Sequence, residues 1–178
     1  LIVFVAALST GLVLAIQFGF GLERFGAKYY VPKIVATSIS RELGPIFTAL
    51  MLSGRVGAGM AAEIASMKVT QQIDAIRALG TDPIQKIVAP KIVALAFATP
   101  FLTLLADWIG IFGGMLAASS QLGLAPNDYF FKSFEIMTWR DISGGLIKGM
   151  VFGFIISSVS CHEGMSAKGG TLGVGLAT

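Results

Sequence analysis

Four long apolar segments alternate with shorter polar ones along the chain. The apolar segments cover about residues 1–22, 34–61, 91–118 and 142–161. The first contains no charged residue, and its 22 residues in a helix at about 1.5 Å each reach ~33 Å, enough to cross a hydrocarbon core of ~30 Å. We therefore predict an all-α fold, a polytopic transmembrane helical bundle that forms one domain over residues 1–178.

The connections between the apolar segments follow other patterns. From about residue 63 to 79, apolar residues recur at helical spacing and polar side chains occupy the other faces, which predicts an amphipathic helix. Its polar face mixes acidic and basic residues, which favours docking on a protein over simply lying on anionic lipid. The connection at 119–141 is rich in Phe, Tyr and Trp and predicts a short interfacial helix.

Composition supports a membrane protein. Hydrophobic residues make up 54% of the chain and charged residues 13%, against about 25% charged residues in soluble domains. The net charge of +3 is too small and scattered to indicate nucleic acid as a partner. Cys161 and His162 are the only residues of their types, and together they form no metal or catalytic set.

The Gly-rich tail carries no nucleotide-binding motif. Its stretch GGTLGVG lacks the Lys-Ser/Thr of a phosphate loop, so any ATP should bind to another chain. We expect no cofactor or metal bound directly, no enzyme activity, and a loop from His162 to the end of the chain.

Charged residues inside the apolar segments are the first functional candidates, because a charge at the centre of a membrane helix costs about 2.5–3.5 kcal/mol. Arg41 and Glu42 are neighbours and should point about 100° apart, one toward a cavity and the other toward another helix or the interface. An ion pair that only stabilises packing is the alternative. Asp107 could pair with Lys91 or Lys148.

Small residues recur every fourth position in the last apolar segment. Gly145, Gly149 and Gly153 begin a strip that continues to Ser157 and Cys161. Such a strip lets another helix approach closely, so we predict that it is a helix-packing face.

Three motifs between Ser40 and Lys91 closely resemble one family. They are RELGP at 41–45, GR-x-G-x-G-x-x-AEI from 54 to 64, and ALGTDP at 78–83. In this order they resemble the MlaE-type permeases, membrane subunits of ABC transporters that work with MCE-domain proteins, and a weaker match continues through the third and fourth spans. The family's N-terminal interfacial helix and last membrane helix have no counterpart, so we expect four spans of a five-span permease, truncated at both ends.

The resemblance implies a homodimeric, multi-pass permease of the cell inner membrane. It would move phospholipid or a related lipid between membranes, driven by a separate cytoplasmic ATPase subunit that holds ATP and Mg. The amphipathic segment would be the coupling helix, which fixes an orientation that five basic residues on each side leave open. Its contacts with the ATPase would be Glu63, Met67, Lys68, Gln71, Asp74 and Arg77.

In this family the first two spans line a lipid cavity at the dimer interface, with Arg41 and Glu42 at or near it. We add Gly11, Phe18 and Phe20 of the first span as candidate wall residues. Two alternatives stay open. One is a secondary transporter or channel using charges within the spans, namely Arg41, Glu42, Asp107 and Lys148. The other is a scaffold that assembles through the Gly145–Cys161 face.

Overall fold

The computed structural model describes residues 1–168 and 170–178. These residues form helices joined by short turns and contain no strand. The α-helices are α1 (Ile2–Glu23), α2 (Val31–Ser38), α3 (Gly44–Leu52), α4 (Ala58–Val69), α5 (Gln72–Ala78), α6 (Ala89–Leu122), α7 (Pro126–Ile136), α8 (Trp139–Ser166) and α9 (Gly170–Ala177). The prediction of an all-α fold is confirmed.

Three helical stretches within the described residues are long and apolar enough to cross a membrane. They are Ile2–Glu23, Ile84–Leu122 and Trp139–Ser166, and they correspond to the first, third and fourth predicted spans. A helical membrane bundle therefore accounts for the apolar composition of the chain.

The second predicted span runs through α2, α3 and α4 and is interrupted by two π-helical turns. These are Ile39–Leu43, which carries Arg41 and Glu42, and Ser53–Gly57. In the first turn the Gly44 N–H donates to Ile39 O, five residues back. Each π-helical turn fits one extra residue into the helix, a feature that is frequent at functional sites.

Residue contacts divide the chain into two compact units, and the first comprises residues 1–48 and 100–149. In this unit α2 packs against α7, and Gly11 of α1 lies against the Gly110 carbonyl of α6. Its core contains Val31, Val35 and Tyr129, all almost fully buried. Burial raises the pKa of the Tyr129 hydroxyl above its usual range.

The second unit comprises residues 49–99 and 150–178. Its core is formed by apolar residues of α4 and α5, the third π-helical turn (Ile84–Val88), α6 and α8: Met60, Ile64, Ile73, Ile87, Leu95 and Cys161. Helix α9 packs against α4.

Two boundaries differ from the sequence-based expectation. The amphipathic segment is two helices, α4 and α5, because Gln71 has a left-handed conformation with φ 59° and ψ 14°. The tail is helical where a loop was expected: α8 continues through His162 to Ser166, and α9 follows. Gly169 lies outside the described residues. Packing of α9 against α4 accounts for a helix in this part of the tail.

Candidate functional site

A cluster of four charges lies in the first unit, where the π-helical turn Ile39–Leu43 meets the start of α8. Arg41 Nε donates to Asp141 Oδ1 at 2.6 Å, and Lys148 Nζ donates to Glu42 Oε1 at 2.6 Å. Lys148 Nζ also donates to Arg41 O at 2.9 Å. We call Arg41, Glu42, Asp141 and Lys148 the charge quartet; it holds two positive and two negative groups.

Arg41 and Glu42 both pair with α8, which matches the ion-pair alternative; a place for either residue in a lipid cavity stays a prediction. Asp141 and Lys148 are seven residues apart and therefore lie on one face of α8, two turns and about 10 Å from each other. Each member of the adjacent pair reaches a different turn of the same helix. The π-helical turn thus presents both charges to one partner.

The two ion pairs differ in their surroundings. The side chains of Arg41, Glu42 and Lys148 are 56%, 60% and 42% exposed, whereas that of Asp141 is 7% exposed. Asp141 Oδ2 also accepts the Thr138 N–H at 3.0 Å, as the third residue of a helix does in a capping box. The Glu42–Lys148 pair is therefore the more accessible of the two ion pairs.

Asp141 was not among the candidates predicted from sequence. Its signal is the run Thr138-Trp139-Arg140-Asp141 directly before an apolar segment, which matches the capping-box pattern. That pattern predicts a helix start and a fixed carboxylate, but it does not identify Arg41 as the partner.

The glycine strip of α8 faces its neighbours at close range. A Cβ atom on Gly145 would lie 2.5 Å from Ser40 O, one on Gly149 2.9 Å from Thr103 Oγ1, and one on Gly153 2.8 Å from Leu95 O. Since Ser40 directly precedes Arg41, the contact at Gly145 brings α8 close enough for the quartet to form.

An open apolar groove lies in the same unit as the quartet. It has a volume of about 330 Å³ and is lined by residues of α1, the π-helical turn and α3: Ser9, Thr10, Val13, Leu14, Leu43 and Phe47. Leu43 directly follows Glu42, so the groove and the quartet share the π-helical turn Ile39–Leu43. Its lining suits an apolar chain, and the quartet suits a charged group attached to that chain.

The predicted wall residues occupy three different environments. Gly11 is buried against the Gly110 carbonyl, where a Cβ atom would overlap it. Phe18 packs partly against the core of the first unit, and Phe20 is exposed. Their place on a cavity wall stays a prediction. The groove residue Val13, which sequence reasoning missed, is two residues from Gly11 and so about 200° away around α1.

Asp107 has a different environment from the one expected. The lysines considered as its partners pair elsewhere: Lys148 with Glu42, and Lys91 with Glu63 at 2.6 Å. Among the described residues, the buried Asp107 Oδ1 has no hydrogen-bond partner. It lies against Gly44, where any Cβ atom would overlap it. Gly44 therefore makes room for this carboxyl group.

Three of the predicted coupling residues are engaged in the second unit itself. Glu63 Oε2 accepts from Lys91 Nζ, and Lys68 Nζ donates to Met165 O at the end of α8. Met67 packs partly against the core of this unit.

The other three predicted coupling residues form an exposed surface around α5. Gln71 is exposed at the left-handed turn. Asp74 and Arg77 are 69% and 61% exposed, and their nearest charged atoms are 3.9 Å apart. A pair this exposed and this long contributes little to stability, so both charges are available to a partner.

Comparison with known proteins places these features in a family. The family model described as Permease MlaE matches residues 1–178. A probable ABC transporter permease protein of Rickettsia typhi is 44% identical over 169 residues, which cover 95% of this chain and 65% of the relative. The chain thus spans about two thirds of the length of that relative.

Two further relatives carry more specific names. The intermembrane phospholipid transport system permease protein MlaE of Haemophilus influenzae is 32% identical over 179 residues, covering 100% of this chain and 69% of the relative. The chloroplastic protein TRIGALACTOSYLDIACYLGLYCEROL 1 of Arabidopsis thaliana is 36% identical over 168 residues, covering 94% of this chain and 48% of the relative. With the family model matching its whole length and its apolar helices able to span a membrane, the chain belongs to the MlaE permease family.

Proposed function

We propose that this chain forms the core of a permease subunit that moves phospholipid, or a related lipid, between membranes. The observation that carries the proposal is that a charge quartet and an apolar groove share one π-helical turn of the first unit. An amphipathic ligand needs both: the groove for an acyl chain and exchangeable charges for a head group. The name of the Haemophilus influenzae relative, a phospholipid transport permease, supports the same class of cargo.

The proposed assembly is a homodimer in the inner membrane with an ABC ATPase subunit on each protomer and an MCE-domain partner. The ATPase would bind ATP and Mg, so the permease itself would be no enzyme. The exposed residues around α5 support this division of roles, because they leave charges of both signs open to a partner.

The proposed mechanism begins with a head group that exchanges with the Glu42–Lys148 pair. The Lys148 ammonium, freed from Glu42, can bind a phosphate, while Arg41 stays paired with the buried Asp141. Closure of the ATPase subunits would then push the α4–α5 segment, and the cavity between the protomers would collapse and displace the lipid.

The quartet favours this function over an ion path through the spans. Such a path would connect Arg41, Glu42 and Lys148 with Asp107. Instead the buried Asp107 Oδ1 accepts no hydrogen bond from any described residue, whereas the other three are joined through the quartet.

Charge exchange across the Glu42–Lys148 pair tests the proposal. We expect Glu42→Lys to slow lipid transfer about tenfold in liposomes containing the permease with its ATPase and MCE-domain partners, because a like charge then faces Lys148. The double variant Glu42→Lys with Lys148→Glu should recover most of the rate, since the pair is restored with reversed polarity.

The matched control is Glu135→Lys. Glu135 of α7 is 71% exposed and pairs with Lys33 at 3.8 Å in the same unit, and its reversal should leave the transfer rate unchanged. A Glu42→Lys complex that assembles normally and transfers lipid at the wild-type rate would contradict the role of the quartet.

A further inference from the structure

Helix α7 has three chemically distinct faces. Tyr129 and Ser133 are buried against α2, with Ser133 Oγ 3.5 Å from Pro32 O. A second face carries charged residues, of which Lys132 Nζ lies 4.2 Å from the centroid of the Tyr29 ring. The third face carries Phe130, Phe131 and Phe134. A helix divided in this way suits a boundary between water and an apolar phase.

The phenylalanine face continues the exposed apolar stripe of α6. The Trp108 ring centroid of α6 lies 5.2 Å from that of Phe134 and 6.3 Å from that of Phe130. Exposed apolar residues continue along the same side of α6 at helical spacing: Phe101, Leu105, Trp108 and Phe112. Since α6 belongs to a stretch able to cross a membrane, a lipid environment suits this exposed apolar stripe. Because Trp108 joins the stripe to the phenylalanine face, a ligand that covers the stripe also contacts α7.

The phenylalanine face contains a concave surface. An open groove of about 350 Å³ is lined by Asn127, Phe130, Phe131 and Phe134. Asn127 places one amide at the edge of three aromatic rings, and Phe131 is 78% exposed. Aromatic rings with a polar group at one end suit the glycerol and ester region of a bilayer, where apolar and polar groups meet.

From this continuity we propose that α7 lies in the membrane interface and binds a phospholipid on its phenylalanine face. The acyl chains follow the Trp108 stripe of α6, and the ester region lies in the groove beside Asn127. The charged face, with Asp128, Lys132 and Glu135, stays in water. This placement requires only that the chain is in a membrane, and it is independent of lipid transport.

Spin labelling tests the placement in the complete permease complex. The background variant is Cys161→Ser, which removes the single cysteine, a buried one. Labels are then attached to Phe131→Cys, to Asp128→Cys on the charged face, and to Leu105→Cys on the lipid-facing stripe. Collision rates with oxygen and with a water-soluble nickel chelate are measured in nanodiscs of phosphatidylethanolamine and phosphatidylglycerol.

The ratio of the oxygen rate to the nickel rate distinguishes lipid from water. We expect this ratio at Phe131→Cys to exceed that at Asp128→Cys by about threefold or more and to approach that at Leu105→Cys. Equal ratios at the two α7 positions would mean that both faces are in water. Low rates with both reagents at Phe131→Cys would mean that protein covers this face. Either result would overturn the proposal.

Tryptophan fluorescence gives a second readout without a label on α7. The sequence contains two tryptophans, so Trp139→Phe leaves Trp108, which stacks on the phenylalanine face, as the single probe. Lipids brominated close to the ester group should quench Trp108 about twofold more than lipids brominated near the chain end. Stronger quenching by the chain-end bromines, or none by either lipid, would contradict an interfacial position.

Discussion

At the scale of single residues, Gly144 and Gly145 of α8 form a natural pair for comparison. A Cβ atom on Gly145 would lie 2.5 Å from Ser40 O, whereas one on Gly144 would meet nothing within 4 Å. We expect Gly145→Ala to lower the free energy of unfolding by about 1–3 kcal/mol, because backbone or helix must shift to make room. The change should appear as a lower melting temperature of the purified permease.

Gly144→Ala is the matched control for this prediction. The same substitution one residue away should stabilise the helix by about 0.5–1 kcal/mol, since alanine replaces glycine in a helix interior without a clash. If the two variants melted at the same temperature, the contact between Gly145 and Ser40 could not be as close as the structure has it.

The charged residues show how far sequence reasoning reaches at this scale. Arg41 and Glu42 could be selected from the sequence because charges inside an apolar segment are costly. Their partners could not, since Asp141 and Lys148 lie about 100 residues further along the chain. Pairing at that distance depends on how the helices pack, and hydrophobic periodicity does not encode it. The sequence also does not reveal how the helices pack around Asp107, so it suggests as partners two lysines that pair elsewhere, Lys91 and Lys148.

At the scale of elements, the turn between α4 and α5 depends on the left-handed conformation of Gln71, which substitutions can test. A non-glycine residue in this conformation costs about 1 kcal/mol, and a β-branched one costs more. We expect Gln71→Val to destabilise the turn and Gln71→Gly to stabilise it. Hydrogen exchange of the peptide covering residues 66–80 should become faster in the first variant and slower in the second.

Gln72→Val provides the reference for the turn. Gln72 is the first residue of α5 and has an ordinary helical conformation, so valine there should change exchange only slightly. Equal exchange in Gln71→Val and Gln72→Val would show that the left-handed conformation at Gln71 is not maintained in solution.

The long helices were predictable in a way that the irregular turns were not. The first, third and fourth apolar segments each correspond to one long helix, α1, α6 and α8, because an uninterrupted apolar run allows few other structures in a membrane. Each π-helical turn adds one extra residue to a helix, and the break between α4 and α5 depends on the single left-handed residue Gln71. They leave the average spacing of apolar residues almost unchanged, so periodicity over a window of a dozen residues does not detect them.

At the scale of the whole molecule, the exposed charges of α5 are where a partner ATPase is expected to bind. Reversing both, with Asp74→Arg and Arg77→Asp, should reduce co-purification of the ATPase subunit about tenfold, because complementary charges across the interface become like charges. Fold stability should change little, as the Asp74–Arg77 contact is exposed and 3.9 Å long.

A control variant with reversed charges on α7 distinguishes loss of the docking surface from a general effect of altered surface charge. The variant Asp128→Lys with Lys132→Asp alters the charged face of α7 by the same number of charges and should leave ATPase binding intact. Wild-type recovery of the ATPase with the reversed α5 variant would place the docking surface outside α5.

Two lysines connect α4 to the neighbouring helices α6 and α8. Lys68, near the end of α4, holds the last turn of α8 through the Met165 carbonyl, and Lys91 of α6 holds Glu63 on α4. If α4 is displaced, either these two bonds break or the bonded residues of α6 and α8 move with α4. Movement of α4 would thereby be transmitted to Met165 near the end of α8 and to Lys91 near the start of α6. Lys68→Ala or Lys91→Ala would remove one of these two bonds while leaving the exposed residues around α5 in place.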